Sequence, residues 1–308
     1  MPGAYAHIIM SFITSKNAGL EKLELPDDVV DALIDRQRYF ELGAISPDMP
    51  YLAVLDGEES EVWADAMHLE GVAERIDCGV QKVASLPFDD KMTALAWLLG
   101  FVGHVVFDVC MHPVVNIVAG GEYGDATKKE HRTCEMHQDV FIADKKIGMK
   151  NLGDGEILET SLKDVCSEED DDAVNPLIRD VWDAMLKKST PSLYKMNAPG
   201  IDEWYNSFLE LMKSIEGLGR LGRHFGRGLV YPSLGSVSQK YVSLVTPEGR
   251  TVDYEELFDQ AQAHILEWWK AVAQAVCLNV RFDARQMCGW NLDTGKDVNG
   301  LFVFWRNS

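Results

Sequence analysis

Basic residues are scarce in this sequence. Its 308 residues include 29 lysines and arginines against 49 aspartates and glutamates, which gives a formal net charge of −20 and a pI near 4.7. This charge argues against binding to duplex nucleic acid and against adhesion to anionic membrane surfaces. Divalent cations bound in one cleft would reverse the local field while leaving the overall charge negative. An anionic partner is therefore expected only where metal ions neutralise carboxylates.

Cysteine pairs and a secretion signal are also missing. The six cysteines form no C-x-x-C pair and are too few for a disulfide framework in a chain of this length, so we expect reduced thiols. No cationic residue precedes the first apolar stretch, which His7 interrupts, so the N-terminus does not match a secretory signal. We therefore expect a cytoplasmic protein.

The composition is that of a globular chain, with 46% apolar and 25% charged residues. Its length fits either about two domains or one large helical domain. Apolar residues at helical spacing, bounded by acidic first turns and by glycine or proline, predict a mostly helical chain. The predicted helices cover residues 26–42, 89–112, 127–143, 176–188, 201–218 and 253–277. The acidic run SEEDDD at 167–172 is interpreted as a solvated loop.

The longest apolar stretch, residues 93–111, is almost long enough to span a membrane. It carries His104 and Asp108, and an ionised aspartate in lipid costs about 2.5–3.5 kcal/mol on insertion scales. No basic flank marks a membrane orientation. We interpret the stretch as a buried central helix that ends at His112, because Pro113 disfavours a helical conformation in the residue before it.

Three polar residues recur along this helix at intervals of four: His104, Asp108 and His112. Four residues advance an ideal helix by about 400°, so the three side chains emerge on one stripe. Imidazole and carboxylate groups in this array suit zinc, and about 0.03 such patterns are expected by chance at this composition. The alternative is a set of paired polar groups in a helix core. Three ionisable groups along an apolar helix need strong partners, which favours metal binding.

The next predicted helix carries His131 and Glu135 one turn apart on one face. This pair alone is weak evidence for a metal site, because more than one such pair is expected by chance at this composition. Asp139 continues the same stripe and is a candidate to orient a ligating imidazole. His137 points to a different face and is interpreted as an ordinary surface or core histidine.

Taken together, the motifs resemble those of the zinc-dependent phospholipase C family. The resemblance covers roughly residues 1–145 and rests on an ordered set: His7, SPDMPY with Asp48, WADAMH with His68, GHVVFDVCMHP at 103–113 and HRTCE at 131–135. It implies an all-α, multi-helix bundle with three zinc ions in a cleft. We expect residues 1–150 to form the metal-binding core and 151–308 a mostly helical elaboration, packed on it as one domain.

The resemblance also implies a distribution of ligands. The first zinc would be held by Asp48, His68, His104 and Asp108. The second would be held by His112, His131 and Glu135, and the third by His7, Asp108 and the amine and carbonyl of the N-terminal residue. Removal of Met1 would leave Pro2 five residues before His7, a spacing similar to that of the related fungal zinc nucleases. The third site depends on this N-terminal residue, so we expect about two to three zinc ions per chain.

The function implied is the hydrolysis of phosphodiesters, with Asp48 orienting or deprotonating the attacking water. The expected substrate is a phospholipid or a small phosphodiester, with transient contact to a membrane interface. Arg220, Arg223 and Arg227, in a glycine-rich basic loop, would suit a phosphate or headgroup, although a surface loop with scattered charge is the favoured interpretation. The alternatives are a zinc-dependent nuclease and a non-catalytic, metal-stabilised interaction module.

Overall fold

The computed structural model describes residues 3–53, 58–150, 152, 173–219 and 231–305. As expected, the fold is all-α, with one small two-stranded sheet among the described residues. In chain order, the helices of the N-terminal half are α1 (Ala4–Thr14), α2 (Asn17–Leu20), α3 (Asp27–Ile34), α4 (Gln37–Ile45), α5 (Met49–Leu52), α6 (Glu58–Leu69), α7 (Val72–Ala84), α8 (Phe88–Ala119) and α9 (Lys128–Ile147). Short 3₁₀ turns occupy Glu21–Leu23 and Ser46–Asp48.

The C-terminal half adds helices α10 (Pro176–Ser189), α11 (Pro191–Met196), α12 (Ile201–Gly219) and α13 (Tyr254–Leu278). An antiparallel hairpin of β1 (Ser243–Val245) and β2 (Thr251–Asp253) precedes α13, with Leu244 opposite Val252. One continuous hydrophobic core includes buried side chains from both halves; for example, Trp97 of α8 contacts Trp182 of α10 with ring centroids 5.8 Å apart. The boundary at residue 150 stays a prediction.

Helix α8 is the centre of the bundle, and it is longer than predicted. It does not end at His112 but continues through Pro113 to Ala119. Proline removes one helical hydrogen bond and crowds the carbonyl four residues earlier, that of Val109. Val109, Val114 and Val115 on either side are completely buried, so tertiary packing overrides this local cost. The helix ends at Gly120, whose positive φ of 83° is a conformation that glycine adopts without strain.

Within the described part of the chain, α8 is also the one helix long and apolar enough to cross a membrane. The whole of its most apolar window is buried inside the protein. This burial supports the interpretation as a central core helix.

The predicted helix at 26–42 is two helices, α3 and α4, which are separated by Asp35 and Arg36. The Arg36 guanidinium donates to the carbonyl of Ala32, 2.7 Å away, and to the hydroxyl of Thr93, 3.0 Å away. The side chain thus caps α3 and ties the break to α8. The periodicity of apolar residues is continuous across this break, so the pattern alone predicted one helix.

Two glycines allow α4 and α8 to cross in close contact. A Cβ atom on Gly43 would lie 2.0 Å from the carbonyl oxygen of Trp97, and one on Gly100 would lie 2.1 Å from that of Phe40. Because both contacts are with backbone atoms, neither can be relieved by a side-chain rotation. The crossing places the end of α4 directly beside the middle of α8.

A buried arginine fixes the C-terminus of α6. Arg75 of α7 is completely buried, and its guanidinium donates to the carbonyls of Ala66, Met67 and Glu70 at 3.0 to 3.1 Å. These carbonyls lie in or just after the last turn of α6, where most carbonyls have no helical donor. The charge also complements the negative end of the helix dipole. Arg75 therefore holds in place the turn of α6 that includes His68.

We predict that Gly43→Ala destabilises the protein by about 1–3 kcal/mol, the cost typical of overpacking. Helix propensity alone would favour alanine by about 0.5–1 kcal/mol, so a loss requires the backbone clash with Trp97. Gly124→Ala is the matched control, since no atom lies within 4 Å of its added Cβ. Urea unfolding checks both variants, and a Gly43→Ala protein as stable as the wild type would contradict the close crossing.

Candidate metal centre

The predicted stripe on α8 is present and faces the interior. His104, Asp108 and His112 have relative exposures of 1%, 0% and 1%. The helix is regular over these residues, so successive side chains stand one turn apart along one face. Three ionisable side chains are thus buried in the middle of the long, apolar helix α8.

Asp48 and His68 meet this stripe from two other elements. Asp48 lies in the 3₁₀ turn Ser46–Asp48, and His68 lies in the last turn of α6. The Nε2 atom of His68 is 3.2 Å from Oδ1 of Asp48, 3.5 Å from Oδ2 of Asp108 and 3.3 Å from Nε2 of His104. Asp48, His68 and His104 form one group whose candidate ligand atoms all lie within 4.8 Å of one another.

His7 of α1 joins the same cluster from the opposite side of Asp108. Its Nε2 atom is 3.1 Å from Oδ1 of Asp108, and its ring stacks on His104 with centroids 4.1 Å apart. His7, His104 and Asp108 form a second group within 4.8 Å. Oδ2 of Asp108 lies 3.3 Å from Nε2 of His104. The two oxygens of Asp108 therefore face different imidazoles, which is the arrangement that a bridging carboxylate needs.

Backbone carbonyls set the orientation of three of the rings. Nδ1 of His68 lies 2.8 Å from the carbonyl of Ala64, Nδ1 of His104 lies 2.8 Å from that of Ala44, and Nδ1 of His112 contacts that of Leu292. A carbonyl only accepts, so each Nδ1 carries the proton, and in a neutral ring Nε2 then carries the lone pair. Metal-binding histidines typically have this second hydrogen bond.

The donor set fits a metal. When both rings are neutral, the Nε2 lone pairs of His68 and His104 face each other at 3.3 Å, an arrangement that is repulsive unless a proton or a metal cation lies between them. Seven buried atoms of the predicted ligands lack a hydrogen-bond partner: both ring nitrogens of His7, Oδ1 of Asp48, both carboxylate oxygens of Asp108, Nε2 of His112 and Nδ1 of His131. Leaving such atoms unsatisfied costs about 1–3 kcal/mol each, and more for charged groups. Imidazole nitrogens and carboxylate oxygens are ligands of zinc.

The electrostatics also favour a cation here. Burial opposes a positive charge on His68, but the carboxylates of Asp108 and Asp48 outweigh burial and raise its pKa to about 10. Burial likewise opposes ionisation of Asp108, yet the surrounding imidazoles hold its pKa well below the ordinary value. Among the described residues, the ion-pair partners of Asp48 and Asp108 are all histidines. A metal ion would supply the positive charge that lysine and arginine do not.

The three residues of the predicted second zinc site are more widely spread. His112, His131 and Glu135 do not form a group within 4.8 Å in the described part of the chain. Nε2 of His131 is 3.0 Å from the carbonyl of Gly121, so Nδ1 carries the lone pair when the ring is neutral. Burial raises the pKa of Glu135, and the charges of Asp48 and Asp108 raise it further, so this carboxylate is within their electrostatic range.

Some predicted residues lie outside the described part of the chain. These are residues 1 and 2, which would complete the third zinc site, the arginines Arg220, Arg223 and Arg227, and the acidic run 167–172. Their roles stay predictions.

The place of Asp139 on the α9 stripe had suggested that it orients an imidazole. Its described contacts are with other groups. Its Oδ1 accepts from the backbone N–H of Ala6 at 2.8 Å, and its Oδ2 accepts from the hydroxyl of Tyr231 at 2.9 Å. Asp139 therefore binds the first turn of α1 and positions His7 through the backbone. His137 accepts a hydrogen bond from the N–H of Ser238, 3.1 Å away, which agrees with its interpretation as an ordinary histidine.

The sequence interpretation missed Asn116, although the four-residue spacing of polar side chains along α8 could have revealed it. It follows His112 by four residues and extends the stripe on α8, but the predicted helix ended before it. Its Nδ2 donates to the carbonyl of Asp293 at 2.9 Å, and its buried Oδ1 has no hydrogen-bond partner. The carbonyls of Ala44 and Leu292 carried no signal, because any residue type provides a carbonyl.

Comparison with known proteins agrees with the geometry. The family model for zinc-dependent phospholipase C matches residues 6–191, which include all eight predicted metal ligands. No curated protein and no solved structure matches the chain. The match spans more than half of the sequence, and the chain therefore belongs to the zinc-dependent phospholipase C family.

Proposed function

We propose that this protein is a zinc-dependent phosphodiesterase that hydrolyses phospholipids or related small phosphodiesters. The observation that supports this best is the convergence of Asp48, His68, His104, Asp108 and His7 from four separate elements on one buried point. Among the described residues, histidines alone balance the charges of Asp48 and Asp108, and no lysine or arginine pairs with either carboxylate. Such a concentration of donors is costly in a protein that does not bind metal.

The proposed ligand sets follow the family. Asp48, His68, His104 and Asp108 hold the first zinc, His112, His131 and Glu135 the second, and His7 and Asp108 the third. When bound, zinc lowers the pKa of water toward neutrality and neutralises the charge that develops on the phosphoester oxygens. The ring orientations fixed by the carbonyls of Ala64 and Ala44 keep the Nε2 atoms of His68 and His104 in place during turnover.

Asp48 is the proposed catalytic residue. Its buried Oδ1 has no hydrogen-bond partner, and the charge of His104 and contacts with His68 hold its pKa below the ordinary value although burial opposes ionisation. An ionised carboxylate in contact with the cluster is suited to orient an attacking water and to accept its proton. The negative charge of the whole chain is no obstacle to an anionic substrate if the cluster is neutralised locally.

The wider setting is also part of the proposal. The substrate would be reached by transient contact with a membrane interface, and duplex nucleic acid is not an expected partner. The described cysteines Cys78, Cys110, Cys134, Cys277 and Cys288 are free thiols, which supports the proposed cytoplasmic location.

We predict that the protein, produced with an unmodified N-terminus and without chelator, contains about two to three zinc ions per chain. Asp108→Ala should lose more than one zinc, because Asp108 is proposed to bind both the first and the third ion, and His104→Ala should lose at least the first. Mass spectrometry of the metal content measures this directly. His264→Ala, which replaces a half-buried histidine of α13 outside both candidate ligand groups, is the control and should retain all the zinc. One equivalent of metal or less in the wild type would refute the trinuclear centre.

We predict that Asp48→Asn lowers the turnover of a short-chain phosphatidylcholine by about 100-fold or more while the helical circular dichroism is unchanged. Asparagine keeps the shape of the side chain but cannot take up a proton. Asp65→Asn is the matched control: this exposed carboxylate accepts from the hydroxyl of Tyr51 at 2.6 Å and lies outside both candidate ligand groups.

The same assay separates the competing functions. Wild-type cleavage of single-stranded nucleic acid in preference to phospholipid, abolished by Asp48→Asn, would identify a nuclease. A zinc-loaded wild type that cleaves neither substrate would favour a non-catalytic interaction module.

A further inference from the structure

The C-terminal residues 291–305, here called the clasp, lie against the two helices that carry His68 and His112. The backbone N–H of Leu292 donates to the carbonyl of His68 at 2.9 Å, and the carbonyl of Leu292 accepts from Nδ1 of His112. The side chain of Leu292 is completely buried. One residue of the clasp therefore contacts the backbone of one proposed ligand and the ring of another.

Further contacts fix the clasp one turn after His112. Nδ2 of Asn116 donates to the carbonyl of Asp293, the residue that follows Leu292, at 2.9 Å. Asn116 stands four residues after His112 on the same face of α8. The helix thus holds the clasp at the residue next to the carbonyl that the imidazole uses.

The clasp also packs closely on the proline inside α8. Gly295 has a φ of +64°, and a Cβ atom there would lie 2.4 Å from Cγ of Pro113 and 2.6 Å from the carbonyl oxygen of Val109. Trp305, at the end of the clasp, donates from Nε1 to the carbonyl of Cys110 at 2.8 Å. Contacts on both sides of His112 therefore fix the distance between Leu292 and the His112 ring.

This distance matters because an imidazole has two tautomers. A carbonyl beside Nδ1 keeps the proton on that nitrogen and leaves the lone pair on Nε2. Nε2 of His112 is buried and has no hydrogen-bond partner among the described residues. Without the carbonyl of Leu292, the ring would be free to rotate or to adopt the other tautomer.

We propose that the clasp is a positioning element of the metal centre: the carbonyl of Leu292 fixes the tautomer and orientation of His112, and Asn116 and Gly295 hold that carbonyl in place. This inference rests on the proposed function, since it assigns His112 to a zinc ion. It goes beyond the family match, because residues 291–305 begin 100 residues past its end at 191. A purely structural clasp would add stability without affecting zinc.

Two variants test the clasp from its two sides. Asn116→Ala removes the donor on α8, and Gly295→Ala pushes the clasp away from Pro113 without touching a proposed ligand. Each should weaken the binding of one zinc by about 10–100-fold, the loss typical when a partner that orients a ligand is removed. Titration of the metal-free protein with zinc, in competition with a chromophoric chelator, measures the affinity of each site.

The control is Glu122→Gln, which removes the negative charge from an exposed ion pair at 3.0 Å between Glu122 and Lys296 of the clasp. It should leave every zinc affinity unchanged. Nitrogen-15 NMR of the zinc-loaded protein gives an independent readout, because the tautomer of His112 determines the shifts of its two ring nitrogens. The wild type should show a protonated Nδ1, and both variants should show a mixture or a broadened signal.

The inference is overturned if both variants bind zinc as tightly as the wild type and keep the His112 tautomer, even if they melt at a lower temperature. If Gly295→Ala does not fold, the result for Asn116→Ala alone decides whether the inference stands. Asn116→Ala adds no atoms and so creates no clash in the folded protein. Failure of the proposed function would look different: the wild type itself would bind one zinc or none.

Discussion

Two carboxylates, Asp48 and Asp108, lie in the interior of a helical bundle, and the described ion-pair partners of both are histidines. Burying charge in a protein interior is costly unless an opposite charge lies close by. The arrangement around them is explained by this constraint. Imidazoles converge on the carboxylates with their lone pairs inward, and a metal ion would balance both the negative charge and the facing nitrogens.

Such a site depends on precise backbone placement. The glycine crossing of α4 and α8 brings the carbonyl of Ala44 to the ring of His104, Arg75 fixes the turn of α6 that carries His68, and Asp139 fixes the start of α1 that carries His7. Each of these contacts holds a ligand through the backbone or through its second ring nitrogen. A ligand set held in this way is preorganised, so binding a metal requires little rearrangement.

The same arrangement explains how a chain of acidic character could attract an anionic substrate. A net charge of −20 repels phosphates at long range, whereas two or three divalent ions bound by the cluster would make the local field positive. Specific attraction would then be confined to the surroundings of the cluster. This would also limit unspecific adhesion to anionic surfaces, which a basic enzyme of the same class would show.

The sequence by itself determined the helical class and the stripe of His104, Asp108 and His112, because these depend on residue types at local spacing, and it indicated the family through a resemblance to its motifs. It also indicated Asp48, His68 and His7, but only through their order along the chain. It was wrong about the end of the central helix at Pro113, since burial of the flanking valines overrides a local preference, and this error hid Asn116. Only the tertiary structure decided which carbonyls orient the rings and that Asp139 binds α1 instead of an imidazole. A backbone carbonyl has no residue-type signature, and the contact between Leu292 and His112 joins positions 180 residues apart.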